Sequence, residues 1–154
     1  MQSTKQAVFE VGEEEYGLDI MDVNIVEKYM TIEPAADLPK NVKGIIRLRG
    51  DIIPVFSLRR KFCLEDIQPN EDTRFIITTS RDHLVAFEID KMKEIVSLEK
   101  EQIYDVPTIV NNKDTAYMKA VANHQGRLVI LLDHNELLSD DEQNKVKAVM
   151  NKLK

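Results

Sequence analysis

The sequence predicts an all-β chain built as two small barrels and closed by a C-terminal helix, and three observations carry that reading. Short runs in which apolar and polar residues alternate are bounded by turn residues, the pattern of half-buried strands joined in hairpins. The order of those runs repeats once along the chain. Only the tail, from about residue 139, has a helical period.

Taken in order, the stretch 7–11 alternates Ala7, Phe9 and Val11 about polar Glu10. After a turn at 12–14 a second alternation runs Tyr16, Leu18, Ile20, completing a hairpin. Ile25 and Val26 carry the apolar pattern toward Tyr29, Met30 and Ile32, and the proline-bounded stretch 34–39 reads as a loop. From Gly44 the run GIIRLRGDIIPVF is a second hairpin, in which Gly50 supplies turn conformations that other residues resist. Pro54 lacks an N–H and predicts an edge position or a strand end.

The second half repeats this order. Strands at 75–79 and 84–89 flank an Arg81-Asp82 turn, Ile95 and Val96 extend the pattern, and a hairpin follows at 117–122 and 128–132 with Gly126 in its turn. Matching Ile25-Val26 with Ile95-Val96, Leu38-Pro39 with Val106-Pro107, and Gly50 with Gly126 keeps the order, at offsets of about 70, 68 and 76 residues. Short helical turns are expected at 58–62 and 134–138, and the charged stretch 65–72 is the expected boundary between halves. Leu84 and Ala86 oppose Val85, Phe87 and Ile89, and Val129 and Leu131 oppose Leu128, Ile130 and Leu132. Strands apolar on both sides are either sandwiched between barrels or partly exposed for a partner. In the tail, Ser139 and Glu142 form a capping box, and Val146, Val149, Met150 and Leu153 share one helical face.

Size and charge narrow the function. A chain of 154 residues holds one ordinary domain or two small ones. A half of about 70 residues buries a marginal core by itself, so a two-part architecture is expected to act as a single unit with a shared core. Acidic residues outnumber basic ones 27 to 21. The resulting net charge of -6 repels nucleic acid and anionic lipid. A barrel that binds oligonucleotides is the alternative of a different class, and the lack of tryptophan and the paucity of aromatics also oppose it. The apolar runs are too short to enter a membrane and the start MQSTKQ has no signal core, which predicts a cytoplasmic protein. The lone Cys63, beside Phe62 and Leu64, is expected to be a buried or half-buried small hydrophobe.

Candidate chemistry is sparse. His83, His124 and His134 have no metal-ligand spacing, no G-x-S-x-G elbow is present, and five scattered glycines build no phosphate cradle, so neither an enzyme nor a cofactor is predicted. Arg47 and Arg49 are more informative, because equal parity in an otherwise apolar strand projects both from one face. Either that face is solvated or it lines a binding groove where planar guanidinium groups are useful.

The run GIIRLRGDIIPVFSLRRKF resembles the chemotaxis coupling protein family, the CheW-like proteins, in which a glycine, an apolar strand, Leu-Arg-Gly and an apolar-Pro-Val strand recur. EEEYGLDIMDV, EIVSL and GRLVILLDHNELL fall in the family's order, and the resemblance runs from about Val8 to Met150. It implies two SH3-like five-stranded barrels sharing a core, with a C-terminal helix. It implies a scaffold without catalysis or cofactor that couples the cytoplasmic tip of methyl-accepting chemoreceptors to the regulatory domain of the chemotaxis histidine kinase. Position by position it assigns receptor binding to Arg49, bracketed by Gly44 and Gly50, and a groove-lining place to Val23. This chain departs from the family with Arg47 where asparagine is frequent, Ser57 where aspartate is frequent, and Glu88 in a run that is commonly more apolar.

Overall fold

The computed structural model describes residues 3–106 and 116–153, so Pro107 of the expected Val106-Pro107 match lies outside the described residues. The first half contributes β1 (Ser3–Val11), β2 (Glu14–Asp19), β3 (Ile25–Lys28), β4 (Val42–Leu48), β5 (Asp51–Ser57) and the one-turn helix α1 (Leu58–Lys61). The second contributes β6 (Arg74–Ser80), β7 (His83–Ile89), β8 (Lys91–Glu99), a two-residue β9 (Ile103–Tyr104), β10 (Met118–His124), β11 (Arg127–Leu132) and the helix α2 (Asp140–Leu153). The helical turn expected at 134–138 is a run of turns and bends.

The strands form two sheets, ordered β8-β1-β2-β11-β10-β9 and β3-β6-β7-β5-β4, the two SH3-like barrels of the fold; short β9 makes the first six-stranded. The sequence halves do not correspond to the sheets. Hairpin β1–β2 from the first half sits among strands of the second, and hairpin β6–β7 from the second sits among strands of the first. Each inserted hairpin meets its host on two sides, through one parallel contact, β2 with β11 and β7 with β5, and one antiparallel contact, β1 with β8 and β6 with β3.

The internal repeat is exact in register. In β4–β5 the pairs are Val42 with Phe56, Gly44 with Val55, and so on to Leu48 with Asp51, with an irregularity between Val42 and Gly44. In β10–β11 they are Met118 with Leu132, Ala120 with Leu131, and so on to His124 with Arg127, with the irregularity between Met118 and Ala120. Three hairpins turn through two consecutive left-handed residues: Arg49 and Gly50, Arg81 and Asp82, Gln125 and Gly126. Those backbone angles are the ones whose twist matches paired strands.

Burial explains why so many strands are apolar on both sides. One face of β6 and β7 fills the interior of its own barrel with Phe75, Ile77 and Ala86, beside Ile46, Ile53 and Val55. The opposite face, with Ile76, Val85 and Phe87, joins Phe9, Tyr16 and Leu18 of the other sheet in a common cluster completed by Leu132, Leu137, Leu138 and Val146. β11 is likewise sandwiched, Val129 and Leu131 facing inward and Leu132 facing the common cluster, while Leu128 at its start is exposed. The capping box holds: the Ser139 N–H donates to Glu142 Oε1 at 3.0 Å and the Glu142 N–H to Ser139 Oγ at 3.1 Å.

Two further expectations are overturned. Pro54 lies inside β5, an internal strand. Its neighbour Ile45 turns its own N–H and C=O toward Glu33, and the β5–β7 ladder begins only at Val55, so the missing donor falls where no partner waits. Cys63 is exposed, at φ 62°. It ends α1: its N–H donates to the Arg60 carbonyl and the Leu64 N–H to the Arg59 carbonyl, a left-handed stop that sets the thiol outward.

Candidate functional site

The β4–β5 turn takes φ of 51° at Arg49 and 86° at Gly50, which sets the Arg49 Cα at its tip and leaves the side chain 71% exposed. The turn bounds a pocket of about 150 Å³ whose wall and floor are Asn24, Ile25, Leu48, Asp51, Ile53, Ile77 and Leu84. Asn24 is held there by its N–H donating to the Ile77 carbonyl at 2.9 Å and its amide donating to Thr79 Oγ1 at 2.9 Å. On the other side of the same turn a larger groove of about 460 Å³ runs between β5, β7 and α2, with Ile52, Pro54, Val85, Leu138, Val146 and Met150 among its walls. Asp51 and Leu84 belong to both.

The two arginines do not project as a pair. Arg47 is in β4, where its Nε donates to Glu33 Oε2 at 3.0 Å. Arg49 is already in the turn, so strand parity no longer governs it, and its Nη2 lies 3.7 Å from Glu27 Oε1 on β3. Ile25 and Glu27 share one side of β3 by strand alternation. That signal is present in the sequence but gains meaning only once the turn is seen to abut β3.

Of the residues assigned by resemblance, Arg49 and Gly50 stand together at the pocket rim. Val23 ends the 3-10 turn at Ile20–Asp22, its N–H donating to the Ile20 carbonyl, and is half-buried against the common cluster beside Asn24. Gly44 lies at the far end of β4. A Cβ there would come within 2.2 Å of the Glu33 carbonyl oxygen, so the glycine admits the backbone bridge between Glu33 and Ile45 that places the partner of Arg47. His134, which motif reading left without a role, sits between the Thr79 carbonyl at 3.2 Å and Asp22 at 3.5 Å, behind the same wall.

The departures from the family are absorbed locally. Ser57 caps α1, accepting from the Arg60 N–H at 3.2 Å, and Glu88 is paired with Lys43 at 2.6 Å in a largely buried contact. Away from the turn, Ile95, Tyr104 and Leu128 are exposed apolar residues of the six-stranded sheet. No helix among the described residues is long and apolar enough to cross a membrane.

Comparison with known proteins agrees with this layout. A family model described as the CheW-like domain matches residues 6–142. The chain is 33% identical over 135 residues to the chemotaxis protein CheW of Klebsiella aerogenes, covering 88% of this chain and 81% of that protein. It is 31% identical over 134 residues to the chemotaxis protein CheW of Helicobacter pylori, covering 86% and 80%. Among solved structures, the scaffolding protein TtCheW from Thermoanaerobacter tengcongensis superposes with a TM-score of 0.83 at 30% identity, over 92% of this chain and 96% of that one.

Proposed function

Because the chain belongs to the CheW-like domain family, we propose that it is a cytoplasmic, non-enzymatic adaptor of chemotaxis that couples methyl-accepting chemoreceptors to the regulatory domain of a chemotaxis histidine kinase, acting as one folded unit. The observation that carries the receptor side is the β4–β5 turn: a largely exposed arginine at the rim of a small apolar pocket. A helical receptor tip fits such a place by seating an aliphatic side chain in the pocket and offering acceptors to the guanidinium. Val23 and Gly44 serve this site indirectly, one by backing the Asn24 wall and the other by fixing the Glu33 bridge. The kinase contact is assigned to the other sheet, where Ile95, Tyr104 and Leu128 leave apolar surface uncovered.

The test is to replace Arg49 by alanine and by glutamate and to measure melting, receptor-tip affinity and kinase affinity separately. Receptor affinity is expected to fall by about 2 kcal/mol, roughly thirtyfold, for Arg49→Ala and further for the charge reversal. Kinase affinity is expected to stay within about twofold, roughly the noise of such a titration. Unchanged receptor binding in both variants rejects the assignment.

A further inference from the structure

We propose that Glu27 is a specificity-determining residue of the Arg49 site, a carboxylate of the free chain that stands in for an acidic side chain of the docked receptor tip, so that docking exchanges one carboxylate for another. The inference rests on the receptor reading above and adds the chemistry of the partner and the residue that competes with it.

The geometry of the pair sets it apart from the other arginines. Arg59 makes three bonds to Asp90 at 2.8 to 3.1 Å, and Arg60 holds Asp66 through Nε at 3.1 Å and Nη2 at 2.9 Å. Those two serve the frame, Asp90 also accepting from the Gly12 N–H and Arg60 also donating to the Lys40 carbonyl. Arg49 and Glu27 approach only to 3.7 Å, and among the described residues no hydrogen bond reaches the Arg49 guanidinium. Within the chain a group with five N–H donors thus has only Coulomb attraction, its directional bonds being left to solvent and available to an incoming acceptor.

The two sides differ in freedom. Glu27 is fixed in the β3–β6 ladder opposite Phe75, and its side chain is 25% exposed, whereas Arg49 is largely exposed at the tip of its turn. Swinging a few ångströms brings the guanidinium over the pocket mouth, where an incoming carboxylate can take the bidentate geometry that Glu27 does not offer. An acidic partner also approaches Glu27 itself, so Glu27 opposes docking twice, by holding the arginine and by repelling the newcomer. Such a residue favours partners that bring a carboxylate of good geometry and disfavours those that bring only apolar surface.

The experiment is a double-mutant cycle on the full chain with Glu27→Gln and Arg49→Ala, titrated against a purified cytoplasmic-tip fragment of a methyl-accepting chemoreceptor from the same genome, with melting curves as a control. Glu27→Gln is expected to tighten binding by about two- to fivefold with Arg49 present and by distinctly less in the Arg49→Ala background, where only the repulsion of the incoming carboxylate is relieved. It is also expected to steepen the salt dependence, because docking then creates an ion pair instead of exchanging one. Binding that is unchanged or weaker in Glu27→Gln overturns the proposal, as does equal tightening in both backgrounds, which is a field effect with no exchange. If Arg49→Ala alone leaves affinity intact, the receptor reading falls and takes this proposal with it.

Discussion

The ends of the two repeated hairpins occupy equivalent places and are built in opposite ways. The registers match Arg49-Gly50 with Gln125-Gly126, and Asp51 with Arg127. Ile77, paired with both Ala86 and Ile25, is matched by Val8, paired with both Gly17 and Glu94. The pocket walls Ile25, Leu84 and Asp51 therefore correspond to Glu94, Glu15 and Arg127. Those three close on each other: Arg127 reaches Glu94 at 2.9 Å and Glu15 at 3.7 Å, and Lys93, the counterpart of Asn24, reaches Glu15 at 3.8 Å. One end is an open apolar slot with an arginine at its rim, and the other is filled by its own ions. The duplicated backbone supplies two mouths, and a few side chains decide which is open.

The harshest way to break the comparison is to cut the chain after Asp66. Because each first hairpin belongs to the sheet of the other half, the cut removes strands from both barrels at once. Neither fragment is expected to melt cooperatively or to disperse its amide NMR spectrum, and mixing the two is expected to restore both signals. A fragment that folds by itself means that the exchanged hairpins are not required.

A second difference between the ends lies at Tyr16, whose counterpart is Val85. Burial, and then the neighbouring Tyr117 and Glu14, push the Tyr16 hydroxyl up to about 12 from 10.0. A raised acid favours the folded state below its unfolded value and loses that contribution as pH rises through the folded one. Stability is therefore expected to fall by about 2 to 3 kcal/mol between pH 10 and 12, measured by urea titration, and Tyr16→Phe is expected to remove that step. Next in size is Gly44, whose counterpart is Ala120. Gly44→Ala is expected to cost about 1 to 3 kcal/mol, because the Glu33 backbone must move, whereas at the equivalent place Ala120 carries a Cβ that packs in the core, and Ala120→Gly is expected to cost about 1 to 2 kcal/mol through chain entropy and the loss of that buried methyl. A Gly44→Ala variant that melts like the parent erases the distinction between a glycine required by a close backbone approach and a position that accepts a side chain.

The hairpins were legible in the sequence because their determinants are local: alternation sets each strand, and residues that take left-handed backbone angles set each turn. The repeat was legible for the same reason, Gly50 and Gly126 marking equivalent turns, but the match of Ile25-Val26 with Ile95-Val96 was one residue out of register, since the paired strands align Ile25 with Glu94 and Val26 with Ile95. The exchange of hairpins was not, since alternation specifies which face is buried and not which strand lies alongside. Nor was the ionic filling legible, since Glu15 is drawn into it by Lys93 and Arg127, residues far away in sequence. Arg47 and Arg49 misled for a related reason, parity ending where the turn begins. Cys63 misled because its apolar neighbours implied a buried site, while its place as the left-handed stop of α1 turned it outward.

The smallest expected effect is the most discriminating. Gln125 has φ 53°, against 51° at Arg49, so Gln125→Arg places an arginine on an equivalent turn without new backbone strain. If a rim arginine by itself makes a receptor site, the variant gains a second one. If the open slot beneath it is required, nothing is gained, because Glu15, Glu94 and Arg127 already fill the corresponding space. Melting is expected to stay within about 0.5 kcal/mol of the parent, as for an exposed turn substitution. Receptor-tip affinity is expected to be unchanged, and Gln125→Arg is expected not to rescue Arg49→Ala. Rescue in that double variant, read from the same titration, means that charge on a turn suffices and that the apolar pocket contributes little.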